Sequence, residues 1–168
     1  MIHRYLWRNR EANFGRPLQH QVRGGIHITF ELIPKWHGRY LALRRPKGIP
    51  GHELPPSASR YPRGLLYFCH NLIRYGETAD DCIRRIVKSQ AGVGVKSWRI
   101  VDIDSQVQAK DGQWAFMPHA IVEVATKPKA GIYGNRITEV VEFSKRNIPG
   151  DFGWWDSREL KNFLVQFG

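Results

Sequence analysis

The chain has 168 residues with 42% hydrophobic and 12% aromatic content, which suits one globular domain with a full core and argues against a second. No apolar run reaches the roughly 18 residues needed to cross a bilayer, and Arg4, Arg8, Arg10 and Glu11 break up the short apolar pieces where a signal-peptide core would lie, so no membrane partner and a cytoplasmic location are expected. The formal net charge of +11 is uneven, with twelve Lys/Arg against three Asp/Glu in residues 1–66 and fourteen against twelve in residues 67–168.

Residues 1–24 are polar and basic and are punctuated by Gly15, Pro17 and Gly24, as in a basic arm or edge element ahead of a single domain spanning 25–168. From Ile26 the pattern alternates. Ile26, Ile28, Phe30 and Leu32 point one way and His27, Thr29 and Glu31 the other, as a half-buried strand requires. Residues 34–38 read as a turn and 40–43 as the hairpin partner, ending at Arg44 and Arg45. Five prolines at 46, 50, 55, 56 and 62, with glycines at 48, 51 and 64, leave no regular element in 46–64, a long loop that feeds a strand at 65–68.

A helix follows. Thr78 caps it with Asp81 three residues on, and Ala79, Cys82, Ile83, Ile86 and Val87 form one apolar stripe at helical spacing. Gly92 is placed to end it. Residues 98–103 read as a strand, Asp111-Gly112 as a turn, 114–125 as a strand with Pro118 at an edge or bulge, and 137–143 as another strand. Asp156 or Ser157 caps a last helix with Leu160, Phe163, Leu164 and Phe167 on its buried face. The order gives an α+β layout with helices on a mixed sheet. Cys69 and Cys82 fit no zinc-ligand spacing and read as reduced thiols, and His27, His37, His52 and His119 show no ligand spacing either, so no metal site is expected.

The stretch 71–93 carries the most chemistry. It runs Asn71, Leu72, Ile73, Arg74, Tyr75, Gly76, Glu77, then seven residues to Arg84, then Arg85, Ile86, Val87, Lys88, Ser89, Gln90, Ala91, Gly92, Val93. This resembles the Nudix box, in which a glycine is followed after five residues by glutamate and, after seven more, by an arginine-glutamate pair, an aliphatic, any residue, two glutamates, any residue, glycine and an aliphatic. Glu77, Arg85, Val87, Gly92 and Val93 match, as does the turn at Gly76. The order of elements is similar along nearly the whole chain, and the closing run from Gly153, Trp154 and Trp155 into the last helix resembles the family's usual ending. The resemblance implies a Nudix-like α/β/α sandwich, a mixed central β-sheet flanked by helices.

It also implies roles. Gly76, Glu77, Arg85 and Gly92 would form the structural frame of the box, whereas Ile86, Ser89 and Gln90 stand where the family has three magnesium-binding glutamates. Magnesium requires hard oxygen ligands, usually carboxylates with substrate phosphates. Isoleucine supplies none, and serine and glutamine supply only neutral oxygens. His70 and Asn71 stand where a glycine pair normally lies. Adjacent residues seldom aim their side chains at each other, which argues against Cys69 and His70 as a nucleophile and its base.

The leading expectation is a catalytically degenerate Nudix-fold protein that binds a phosphate-bearing ligand, a nucleotide, a nucleotide conjugate or RNA, on a basic face. Arg39, Arg44, Arg45, Arg60, Arg63, His70 and Arg74 are its candidate phosphate binders, because arginine pairs with phosphate bidentately, and Trp36 beside Lys35, His37 and Arg39 is a candidate stacking platform. The alternatives are a Nudix-type hydrolase of nucleoside diphosphate derivatives using displaced acids, Glu77, Asp80, Asp81 and Glu139, and a scaffold subunit that docks RNA or protein. No cofactor is expected, and Mg2+ enters only under the hydrolase alternative. A homodimer or protein assembly is compatible with all three.

Overall fold

The computed structural model describes residues 25–45, 56–107, 112–131 and 137–168. The basic arm 1–24 and loop residues 46–55 lie outside these. Strands β1 (Ile26–Trp36) and β2 (Arg39–Arg45) form a hairpin closed by Trp36 opposite Arg39. The turn is only His37 and Gly38, at φ 48° and 75°, the two successive left-handed residues that suit the twist of a tight hairpin. The turn is thus shorter than the 34–38 expected. Pro34 stays in β1 opposite Val122, and the β1–β2 ladder begins just after it, at Lys35 and Tyr40.

Within the proline-rich loop a 3-10 helix (Pro56–Arg60) does form, against the expectation of no element there. Proline at its first position costs nothing, since that N–H would have no partner. Next come β3 (Leu65–Tyr67) and β4 (Cys69–Leu72), separated by Phe68 alone. β3 pairs with β2 and β4 with β1, so the chain changes partner at Phe68 and the sheet forks there. Helix α1 (Ala79–Ala91), β5 (Val95–Val107), β6 (Trp114–Val124), β7 (Glu139–Phe143) and α2 (Ser157–Phe167) complete the order. β6 lies parallel to β1 and antiparallel to β5, and β7 pairs antiparallel with β2, giving a mixed sheet of seven strands among the described residues.

Pro118 sits in β6 between two neighbours, not at an edge. The β1 ladder pairs Phe116 and His119 and skips Met117 and Pro118, so the missing N–H falls in a gap of that ladder.

Alternation along β2 divides the core. Leu41 and Leu43 join Phe30, Leu32 and the α1 residues Cys82, Ile83, Ile86 and Val87 on one side of the sheet. Tyr40 and Ala42 join Ile33, Phe68, Phe143 and the α2 residues Leu160, Phe163 and Leu164 on the other. Ile26 and Ile28 begin the alternation as expected but remain 37% and 36% exposed. No helix among the described residues is long and apolar enough to cross a membrane.

Both caps form. The Thr78 hydroxyl accepts from Asp81 N at 3.2 Å and donates to the Asp81 carboxylate at 2.6 Å, and Gly92 ends α1 at φ 73° with its N–H on the Lys88 carbonyl. Asp156 caps α2.

The segment before α2 runs beside β3, where Leu66 N donates to Asp151 O and Gly153 N to Leu66 O. Gly153 lies flat on the Tyr67 ring, and a Cβ there would sit 2.4 Å from Tyr67 Cε1. Tyr67 is buried and cannot swing clear. Gly153→Ala should therefore destabilise the fold by roughly 1–3 kcal/mol, read as a lower midpoint in thermal or urea melts, and an unchanged midpoint would mean that the ring yields.

Candidate functional site

The box frame is built from Glu77 and Arg85. Gly76 at φ 77° turns the chain ahead of α1, and Glu77 then accepts Arg85 Nε at 2.6 Å and Arg85 Nη2 at 2.7 Å, one on each oxygen. It also accepts Arg74 N at 2.9 Å, while Arg85 Nη2 donates to Leu72 O. The loop is thereby tied to the helix by a bidentate ion pair, the strongest form of such contact. The Arg85 hydrogen bonds, with help from Arg74 N, hold the Glu77 carboxyl down at about 2. Because that value is depressed, the stabilisation is complete above the ordinary value near 4.5 and is lost as pH falls toward 2. A Glu77→Gln variant should therefore lose part of the parent's acid-dependent stability between those limits. Melts taken across that range that stay parallel for the two proteins would dismiss this role.

The other acids of the hydrolase alternative are also engaged. Asp80 accepts Arg84 Nε at 2.8 Å and Trp98 Nε1 at 2.7 Å, and those bonds, Arg84 first, hold it below the usual carboxylate range. Asp81 belongs to the helix cap. Glu139 accepts Arg44 Nε at 2.6 Å and Arg63 Nη2 at 3.3 Å. Among the described residues no three His, Cys, Asp or Glu side chains converge as a metal-holding group.

At residues 86, 89 and 90 the side chains do different things. Ile86 has no exposure and belongs to the core. The Ser89 hydroxyl donates to Ile86 O. Gln90 spans to the fork: its Oε1 accepts His70 N at 3.1 Å, its Nε2 donates to His70 O at 2.7 Å, and the same Oε1 accepts Arg45 Nη2 at 2.6 Å. A magnesium ion does not fit this set. None of the three supplies a carboxylate, and the one suitably placed oxygen already holds a guanidinium.

Arg44 and Arg45 are adjacent on β2 and so face opposite sides of the sheet. Arg44 is 8% exposed, and its guanidinium reaches Glu139, Asp151 Oδ2 at 2.5 Å and Gly64 O at 2.9 Å. Burial works against its charge, but the two carboxylates outweigh it and raise its pKa. As an exposed phosphate binder Arg44 is therefore corrected: it is a buried tie between the loop end, β7 and the segment before α2. Arg45 is half-buried over the Tyr67 ring at 5.5 Å, and burial lowers its pKa.

The remaining candidates do not gather in one place. Arg39 and Trp36 lie at the hairpin end of β2, about 20 Å from Arg45 at roughly 3.3 Å per strand residue. Trp36 packs on the α1-side core with the His37 ring at 4.3 Å and Lys127 Nζ at 6.0 Å. Arg63 and Arg74 are exposed. Cys69 is fully buried, which pushes its thiol up to about 12, and Cys82 is pushed up to about 11, so neither is a thiolate at neutral pH.

Arg60 lines a cleft that sequence reasoning missed, of about 570 Å3, with Tyr61, Trp154, Trp155 and Ser157. Trp155 is fixed there because its Nε1 donates to Glu31 Oε1 at 2.9 Å, and Glu31 Oε2 lies 3.4 Å from His119 Nε2. The adjacent tryptophans were the available signal, but the partner of Trp155 is 124 residues away.

No family model matches the chain, and no curated protein matches it either. Solved structures do. A MutT Nudix hydrolase from Burkholderia pseudomallei aligns at TM-score 0.59 and 13% identity over 83% of this chain and 98% of its own. A Nudix hydrolase from Nitrosomonas europaea aligns at 0.57 and 12% over 84% and 90%. A pyrophosphohydrolase from Bacillus subtilis aligns at 0.57 and 13% over 82% and 77%. The chain therefore has the Nudix fold, an α/β/α sandwich around a mixed sheet, as its sequence implied.

Proposed function

We propose that this Nudix-fold chain binds a nucleotide or another phosphate-bearing ligand without hydrolysing it. The carrying observation is what Ile86, Ser89 and Gln90 do: one is core, one donates its hydroxyl back to the Ile86 carbonyl, and one clamps β4 while accepting from Arg45. That arrangement supplies a magnesium ion with no carboxylate from any of the three positions. The half-buried Arg45 and the aromatic cleft beside Arg60 suit a phosphate and a planar ring respectively. Support also comes from the acids, since Glu77, Asp80, Asp81 and Glu139 each have an arginine or capping partner.

The hydrolase reading is kept as a second one because the three aligned proteins are named as hydrolases. Assays of the full chain against nucleoside diphosphate derivatives with magnesium separate the two. The expected result is saturable binding with turnover far below about 1 per second. Turnover at that rate or faster would defeat the binding reading, and failure to bind any nucleotide or single-stranded RNA at low salt would leave the fold as a scaffold surface.

A further inference from the structure

We infer that the outer edge of β5 over residues 102–107 is a docking edge for an extended segment of another protein, one in which apolar and basic residues alternate. The inference is independent of any ligand at the fork, because β6 separates this edge from β1 and from the strands that meet there. Position comes first. The strand order ends at β5, and among the described residues no strand lies beyond it. Trp114 N donates to Gly25 O, so the Trp114 main chain faces β1 and turns away from Val107, its Cα partner on β5. Main-chain direction alternates along an antiparallel pair, which leaves the N–H and C=O groups of Ile103, Ser105 and Val107 pointing outward from β6. Ser105 agrees, since its N–H donates to the Asp104 carboxylate at 2.7 Å.

The second observation is the chemistry of the two faces. Cα partners across β5 and β6 share a face, so Ile103 and Val107, 50% and 67% exposed, stand on the α1 side with Trp114 and Phe116. Trp114 Nε1 donates to Ser105 Oγ at 2.7 Å on that same side. Asp102 and Asp104 lie on the other face. Residues 100–107 hold two aspartates and no lysine or arginine, in a chain of net charge +11. An added strand therefore meets apolar groups on one face and acids on the other, which selects alternating apolar and basic residues and disfavours a polyanion.

The third is a missing guard. Exposed edges are ordinarily blunted by lysine, proline, a bulge or shortness. Lys96, Arg99 and both register shifts of β5 fall before Asp102, and nothing of the kind occurs in 102–107. At the opposite end of the sheet, by contrast, the segment before α2 is hydrogen-bonded along β3. A second copy fits the β5 edge less well. Paired with itself about a two-fold axis at residue 102, 103 or 104, the strand sets aspartate opposite aspartate, which is destabilising. Asp104 acts instead as a placeholder on the Ser105 N–H: an incoming carbonyl takes that N–H, and the carboxylate turns to the basic side chain opposite.

The test titrates the full chain with a fluorescent peptide of alternating valine and lysine long enough to span 102–107, and with a control of the same composition arranged in blocks. Saturable binding of the alternating peptide alone is expected, with new hydrogen-exchange protection at Ile103, Ser105 and Val107. Methylating every second peptide amide, in the phase that faces β5, should abolish it, whereas a purely electrostatic contact would survive. Asp104→Lys should weaken binding roughly three- to tenfold and transfer the preference to an alternating valine and glutamate peptide. Val107→Pro removes one outward N–H where proline spares the β6 ladder, so affinity should fall with little change in melting temperature. The inference is overturned by equal affinity for the blocked control, by affinity that survives methylation in both phases, or by no binding of the alternating peptide. Concentration-dependent dimers that Val107→Pro dissolves would also overturn it, giving the edge to a second copy. None of these results touches the phosphate-binding reading.

Discussion

Replacing Arg44 by alanine is expected to destabilise the protein by about 2–4 kcal/mol, lowering the melting temperature by roughly 5–15 °C for a chain of this size. The reason lies in what remains. Arg44 is 8% exposed, and its removal takes the guanidinium from Asp151, leaves Glu139 to the exposed Arg63 at 3.3 Å and strips the Gly64 carbonyl of a donor. Breaking a fully buried pair costs about 3–5 kcal/mol, and the lower figure allows for the water that reaches Glu139, whose side chain is 37% exposed. Arg44→Lys keeps the charge but not the fork, and should recover part of the loss. A parental melting curve for Arg44→Ala would show that the two carboxylates find other partners. Changing Arg44 and Arg45 together would confound this loss with any effect on binding, so the two must be separated.

The second large effect concerns the box. Placing glutamate at Ile86, Ser89 and Gln90 together should yield a protein that no longer folds cooperatively. Ile86 has no exposure and packs among Leu32, Leu43, Cys82 and Val122, where a carboxylate would be buried without a partner at a cost of several kcal/mol. Ser89→Glu with Gln90→Glu avoids that position and should fold. Its gain in affinity for manganese or magnesium should be small, because Arg45 lies within hydrogen-bond reach of residue 90, and should rise once Arg45→Gln is added. Calorimetry on the triple variant Ser89→Glu, Gln90→Glu, Arg45→Gln tests this. If it gains nothing over the double variant, the Arg45 guanidinium does not oppose a cation beside residue 90.

What was legible in the sequence was local. The α1 cap at Thr78 and Asp81, the stripe through Cys82, Ile83, Ile86 and Val87 and the stop at Gly92 are all set by residues within a few turns of one another, and each formed as read. The Glu77–Arg85 tie, eight residues apart, was implied by the resemblance of the box. Long-range pairing was not. Adjacent arginines at the end of a strand look like a solvated basic edge, and nothing near them reveals that one meets Glu139, 95 residues on, and Asp151, 107 residues on. The charge count of residues 1–66 thus overstates the free positive surface. Gln90 posed a related difficulty. The sequence showed what it lacks as a metal ligand, but a side-chain amide reaching a backbone 20 residues away has no periodicity to announce it.

The clamp of Gln90 on His70 also joins two elements that would otherwise breathe separately. β4 pairs only with β1 among the described strands, so it is short and lies at the fork, the kind of segment that opens most readily. By bonding both backbone groups of His70, one helical side chain acts as a single rung of an extra strand. Release of the fork then requires the last turn of α1 to let go as well, and the two should exchange their amide hydrogens as one cooperative unit. Any contact that tightens the Gln90 clamp would slow that opening across both elements, a signature in hydrogen exchange far wider than the clamp itself.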